Sequence, residues 1–242
     1  MLLLVASILV LFLLNLFLGS VHIPMDSIWN ILWGLDGDES VIWQNIIWKS
    51  RIPQSLTALV AGAGLAVSGL QMQTVFRNPL AGPSVLGISS GASLGVAFVV
   101  LLSGSIGGIA LSRLGFMGEI ALTVAAIVGA LSVMALIVYV SQKVHGNVTL
   151  LIIGVMIGYV ANAVIGVLKF FSVEEDIRAY VIWGLGSFAR VSGNQVTVFI
   201  CIMAVLLPLS FLLIKTLNLL LLGDAYARNL GLNIKRARLQ VI

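Results

Sequence analysis

The chain has 242 residues, 60% of them hydrophobic and only 9% charged, and a mean hydropathy of +1.14. A soluble domain carries about 25% charged residues, so a water-soluble enzyme is excluded and a membrane protein is expected. The net charge of +4 is too small and too local for a nucleic-acid binder. The lone Cys201 excludes a disulfide framework and a cysteine metal cluster.

Apolar runs of about 20 residues read as membrane-spanning helices. The first, residues 2–18, lacks the basic start and small-residue cleavage site of a secretory signal, so it reads as a span. A loop with Trp29, Trp33, Trp43 and Trp48 follows. Tryptophans at the edge of an apolar run mark the membrane interface. Asp26 or Ser27 is expected to cap a short helix whose Trp29 and Trp33 share a face.

Further spans are expected at 55–73, 84–102, 120–140, 148–171 and 196–214, and a seventh begins near Leu239. The expected fold is therefore all-α: a polytopic transmembrane helical bundle of six complete spans and the start of another. It reads as a single transmembrane domain over 1–242, incomplete at its C-terminus, with 215–238 as a cytoplasmic loop within it. Small residues at every fourth position let helix backbones approach closely in lipid. Ala58, Gly62 and Ala66 form one such row, Gly87, Gly91 and Gly95 a second, and Gly154, Gly158, Asn162 and Gly166 a third. Asn162 could bond across a helix interface or line a watery path. Glu174, Glu175 and Asp176 read as a solvated face, without the His or Cys that a metal site would need.

If the N-terminus is cytoplasmic, the inside loops 74–83, 141–147 and 215–238 hold seven Lys and Arg against six outside. That is a weak vote for this orientation by the positive-inside rule. The last loop weighs in the same direction. Gly223-Asp224-Ala225-Tyr226-Ala227-Arg228-Asn229-Leu230-Gly231 is a polar island in an apolar chain, and Lys235, Arg236 and Arg238 follow it. Asp224 can cap a helix, Ala225 and Ala227 permit close approach, and Tyr226 offers an amphipathic anchor.

The most specific stretch lies between residues 51 and 95. It contains Arg51-Ile52-Pro53-Gln54, then Gly62-Ala63-Gly64, then Arg77-Asn78-Pro79-Leu80-Ala81-Gly82-Pro83 leading into Leu86-Gly87-Ile88-Ser89-Ser90-Gly91. Pro79 biases Asn78 away from helix, and Pro83 suits the first turn of the next one. This string and the polar island closely resemble the FecCD family, the membrane permeases of ABC importers for iron–siderophore complexes, haem and cobalamin. The resemblance runs over essentially the whole chain.

That resemblance implies a ten-helix permease subunit, here lacking about its last three helices. Such a subunit pairs with a second copy or a paralogue in a bacterial or archaeal plasma membrane. A cytoplasmic ATPase dimer drives it and an extracytoplasmic binding protein delivers cargo. By position, the resemblance assigns 224–231 to the helix that docks on the ATPase. It assigns Asn78 and Leu80 to a cytoplasmic gate, with Asn147 and Val148 at a second constriction, and Arg51 to docking of the binding protein. The family's second arginine is Gln54 here. The alternative for Arg51 is an interfacial arginine that snorkels.

No catalytic residues, cofactor or metal are expected. The sequence has no Gly-x-x-x-x-Gly-Lys-Ser/Thr phosphate loop, so hydrolysis would belong to another chain. An ion-coupled secondary transporter, the alternative, would place ionisable residues within its spans, and these are nearly absent. A structural membrane subunit is a further alternative. Neither His22 nor His145 has the partners of an intramembrane metalloprotease.

Overall fold

In the computed structural model, the described residues are 1–35, 41–106, 116–143, 147–191 and 193–241. They are all-helical, with no strand among them. Among the described residues, four helices are long and apolar enough to be spans and two shorter apolar helices overlie the other two expected ones. The continuous helix over Val41–Phe76 and the helices Met117–Lys143, Thr149–Phe171 and Gly193–Phe211 are long and apolar enough to cross a bilayer. Leu2–Phe17 and the stretch Ile88–Leu102 are apolar but shorter. The chain groups into two compact units, 1–64 with 187–209 and 65–186 with 210–242.

In the first unit, α1 (Leu2–Phe17) is followed by α2 (Met25–Trp33) and α3 (Val41–Ile46). A π-helical stretch, Ile47–Arg51, runs on into α4 (Ile52–Phe76), whose residues up to Gly64 belong to this unit and the rest to the second. Ile23, Ile28, Ile31 and Ile47 form its small core. Trp29 and Trp33 do share a face of α2, their rings 5.8 Å apart. The expected cap is corrected. Pro24 occupies the N-cap with no side-chain bond, and Asp26 sits inside the first turn. Its charge still favours the helix start.

The second unit holds a short 3-10 turn (Pro83–Leu86), α5 (Ile88–Ile106), α6 (Phe116–Lys143), α7 (Asn147–Phe171) and α8 (Glu174–Gly184). Pro83 opens the 3-10 turn, and the helix expected from residue 84 restarts at Ile88 after a break at Gly87. The glycine row there faces two ways. A Cβ on Gly91 would lie 2.7 Å from the Gly129 carbonyl oxygen of α6, while one on Gly87 would lie 2.7 Å from the Gly154 carbonyl oxygen of α7. Backbones that close leave no room for side chains. Gly95 meets Gly129 as well, and Gly154 and Gly158 meet Leu86 and Ser90.

The row at Gly62 and Ala66 behaves differently. Both face away from the chain, and no described atom lies within 4 Å of a Cβ on Gly62. Among the described residues, the Gly62 face is therefore open. The acids at 174–176, read as a solvated face, form the first turn of α8, where negative charge suits the helix dipole. Glu174 and Glu175 are exposed, but Asp176 is buried, which corrects a fully solvated face.

The polar segment 215–238 is no loop either. After α9 (Gly193–Phe211), it folds into α10 (Ile214–Leu221), α11 (Asp224–Asn229) and α12 (Ile234–Val241). Ile234, Ala237 and Val241 recur at helical spacing on one side of α12 and are buried.

Candidate functional site

The site is built where α4 ends. The Arg77 amide donates to the Thr74 carbonyl and the Asn78 amide to the Gln73 carbonyl, closing α4 with the paired bonds of a Schellman cap. Arg77 takes the left-handed position in that cap, at φ 48°, where glycine is the usual occupant. The chain then turns tightly. Asn78 Oδ1 accepts from the Leu80 amide at 2.9 Å, and the Ala81 amide donates to the Asn78 carbonyl at 3.0 Å. Asn78 thus shapes its own turn, while Leu80 stands 84% exposed at the tip.

α11 is framed by two glycines in positive-φ conformations that favour glycine. Gly223 (φ 108°) precedes it, and Gly231 (φ 84°) follows it. The Gly231 amide donates to the Arg228 carbonyl and the Leu232 amide to the Ala227 carbonyl, a second Schellman cap. Between them Ala227 is fully buried, and Ala225, Tyr226, Arg228 and Leu230 point outward. Tyr226 is 69% exposed. Of the two alanines read as permitting approach by a partner, Ala227 therefore packs on its own chain.

Asp224 does not cap α11; Gly223 holds that position without a side-chain bond. The carboxylate instead joins two arginines. Arg77 Nη2 donates to Oδ1 at 2.7 Å and Arg238 Nη2 to Oδ2 at 2.8 Å. Arg77 Nη2 also donates to the Leu220 carbonyl at the end of α10, at 3.2 Å. One carboxylate thus ties the end of α4 to α11 and α12. Pairs this exposed are worth about 0–1 kcal/mol each, so they orient these elements rather than hold them together.

The apolar layer beneath does the holding. Met72, Val75 and Phe76 of α4 and Ala81 and Leu86 of the turn share one core with Leu220 of α10, Ala227 of α11, and Ile234, Ala237 and Val241 of α12. Val133 and Ile137 of α6 and Leu150 of α7 complete it. The turn bearing Asn78 and Leu80 and the island at 223–231 are therefore anchored in the same core, a link that sequence reading did not predict. Asn147 begins α7, and the side chains of Asn147 and Val148 lie outside the described residues.

Beside the turn lies a cavity of about 290 Å³ lined by Ser84, Ser90, Gly154, Gly158, Tyr159 and Asn162, among others. Asn162 stands on the exposed rim of this pocket.

Arg51 is corrected. It is 5% exposed, and its guanidinium donates to the Leu16, Phe17 and Val21 carbonyls. The last carbonyls of α1 lack helical partners and carry its negative dipole end. Arg51 satisfies them, and Gly19 leaves the space, since a Cβ there would lie 2.8 Å from Nη2. So placed, the guanidinium is buried against its own chain rather than snorkelling. Asn15 in α1 and Ser55 in α4, whose Oγ donates at 2.8 Å, add a second polar contact.

Comparisons with known proteins bear on the family and the fold. The family model described as the FecCD transport family matches residues 7–242. The chain is 35% identical over 238 residues to the hemin transport system permease protein of Yersinia pestis, covering 97% of this chain and 68% of that protein. It is 33% identical to the vitamin B12 import system permease protein of Pectobacterium atrosepticum, over 87% of this chain and 59% of that protein. A solved structure described as an inward-facing conformation of a metal-chelate type ABC transporter superposes with a TM-score of 0.75 at 27% identity. That match covers 97% of this chain and 68% of the other. With nearly its whole length matched by the family model and by a relative above 30% identity, the chain belongs to the FecCD transport family.

Proposed function

We propose that this chain is the permease subunit of a binding-protein-dependent ABC importer, carrying an iron chelate, haem or cobalamin along a path gated beside Asn78 and Leu80. Hydrolysis is assigned to a separate ATPase dimer, and a second permease copy or paralogue completes the path. The observation that carries the reading is α11. Two glycine turns hold it outward, Ala227 roots it in the core shared with the turn, and Tyr226, Arg228 and Leu230 form its free face. That is the form expected of an element that receives a partner's motion and passes it to a gate. Cargo classes follow from relatives named for hemin and vitamin B12. A binding protein on the outer surface is proposed to deliver the cargo, with Arg51 placed at that end of the first unit by the family resemblance.

The test is co-expression of the full-length protein with its ATPase. An exposed aromatic at the centre of such a contact contributes about 2 kcal/mol or more when truncated. Tyr226→Ala is therefore expected to weaken ATPase co-purification by at least about 30-fold in Kd, and Arg228→Ala by less. Unchanged affinity in both variants would remove α11 as the docking element. Uptake of hemin, cyanocobalamin and a ferric siderophore into proteoliposomes then selects the cargo.

A further inference from the structure

The geometry points to Arg77 and Asp224 as a positioning pair, an electrostatic strut that carries displacement of α11 to the Asn78–Leu80 turn. This rests on the permease reading above and adds to it the route by which the motion travels. Arg77 occupies the left-handed cap position of α4, where glycine costs no strain and arginine does. What the position offers is the side chain, and it reaches Asp224 Oδ1 at 2.7 Å and the Leu220 carbonyl at 3.2 Å. Arg77 is bonded through its backbone to α4 and is the residue next to Asn78, whose side chain fixes the turn. Asp224 is the first residue of α11 and is also held by Arg238 of α12.

A push on the outer face of α11 therefore meets the turn by two routes, the apolar contact of Ala227 and the charge contact of Asp224. The apolar contact is non-directional. The paired charges fix direction, because each arginine holds one carboxylate oxygen. Partial exposure, with side chains 40% and 39% open, keeps the contact weak enough to shift as the elements move.

The experiment uses the full-length permease assembled with its ATPase in lipid nanodiscs, with Cys201 and any further cysteine of the full-length permease replaced by Ala. Leu80→Cys at the exposed tip carries an environment-sensitive fluorophore, read before and after Mg-ATP with vanadate. Arg77→Gly is the informative variant, since it relieves the backbone and leaves the Tyr226 face untouched. It is expected to keep its thermal midpoint and its ATPase while the label's response falls by about fivefold. Asp224→Asn should lose the response similarly, and Asp224→Glu should restore at least half of it. A full response in Arg77→Gly overturns the strut, as does an equal loss in Asp224→Glu and Asp224→Asn. If no ATPase co-purifies with the unmutated chain, the permease reading itself falls and takes the strut with it.

Discussion

Arg51 shows how a side chain's partners override what its position suggests. Its place in the sequence resembles a docking point, yet the guanidinium closes the end of α1. Removing it leaves the buried Leu16 carbonyl and the part-buried Phe17 carbonyl without this donor, which costs about 1.5–3 kcal/mol for bonds made by a charged group. Arg51→Ala is thus expected to lower thermal stability of the detergent-purified protein, and Arg51→Lys to recover less than half, because an ammonium lacks the planar fork. An unaltered melting temperature in Arg51→Ala would contradict the clamp. The sequence signal for it existed in Gly19, one residue beyond the first span, but it becomes legible only once an arginine 32 positions later is known to lie there. Asp224 repeats the lesson. An acid before a short helix reads as a cap, and only the fold shows that Gly223 takes the cap and frees the carboxylate for Arg77 and Arg238.

At the level of elements, periodicity revealed the apolar helices because burial in lipid needs long apolar runs. It missed α8 and α10–α12, which are short and carry charge. The cues were present: three acids in the first turn of α8, and Ile234, Ala237 and Val241 at helical spacing on α12. Glycine rows were read as contact faces, but a row cannot name its partner. Gly129 of α6, which receives both Gly91 and Gly95, belonged to no row in the sequence. A Cβ at 129 would lie 3.1 Å from the Gly95 Cα, against backbone that cannot swing aside. Gly129→Val should therefore force α5 and α6 apart at a cost of about 1–3 kcal/mol, the range for overpacking. Gly62→Val, with open space in the same test, should leave the thermal stability of the purified chain within about 0.5 kcal/mol. Equal losses at both positions would mean that the α5–α6 seam is not the contact that matters.

For the molecule in its membrane, the second unit has two separate cores, and their spacing bears on orientation. One holds Leu150 of α7 together with Ala81 and Ala227; the other holds Ile165 of the same helix with Leu101 of α5 and Tyr180 of α8. Fifteen residues of helix separate Leu150 from Ile165, a rise of about 22 Å, most of a bilayer's apolar thickness of about 30 Å. The turn at Leu80 and the free face of α11 thus belong to one end of this unit, and Leu185, which follows α8, to the other. Local charge counts gave only a weak orientation because cations divide almost evenly between the two sets of loops. The concentration of Arg228, Arg236 and Arg238 at the α11–α12 end supports a cytoplasmic placement there. With Cys201, the one thiol of these 242 residues, replaced by Ala and any cysteine elsewhere in the full-length protein replaced likewise, single cysteines at Leu80, Tyr226 and Leu185 report the arrangement directly. A membrane-impermeant maleimide should label Leu80→Cys and Tyr226→Cys in inverted vesicles and Leu185→Cys in right-side-out ones. Labelling of Leu80→Cys and Tyr226→Cys from opposite faces would break the shared core on which the coupling route depends, whereas reversal of all three would invert the orientation and leave that route intact.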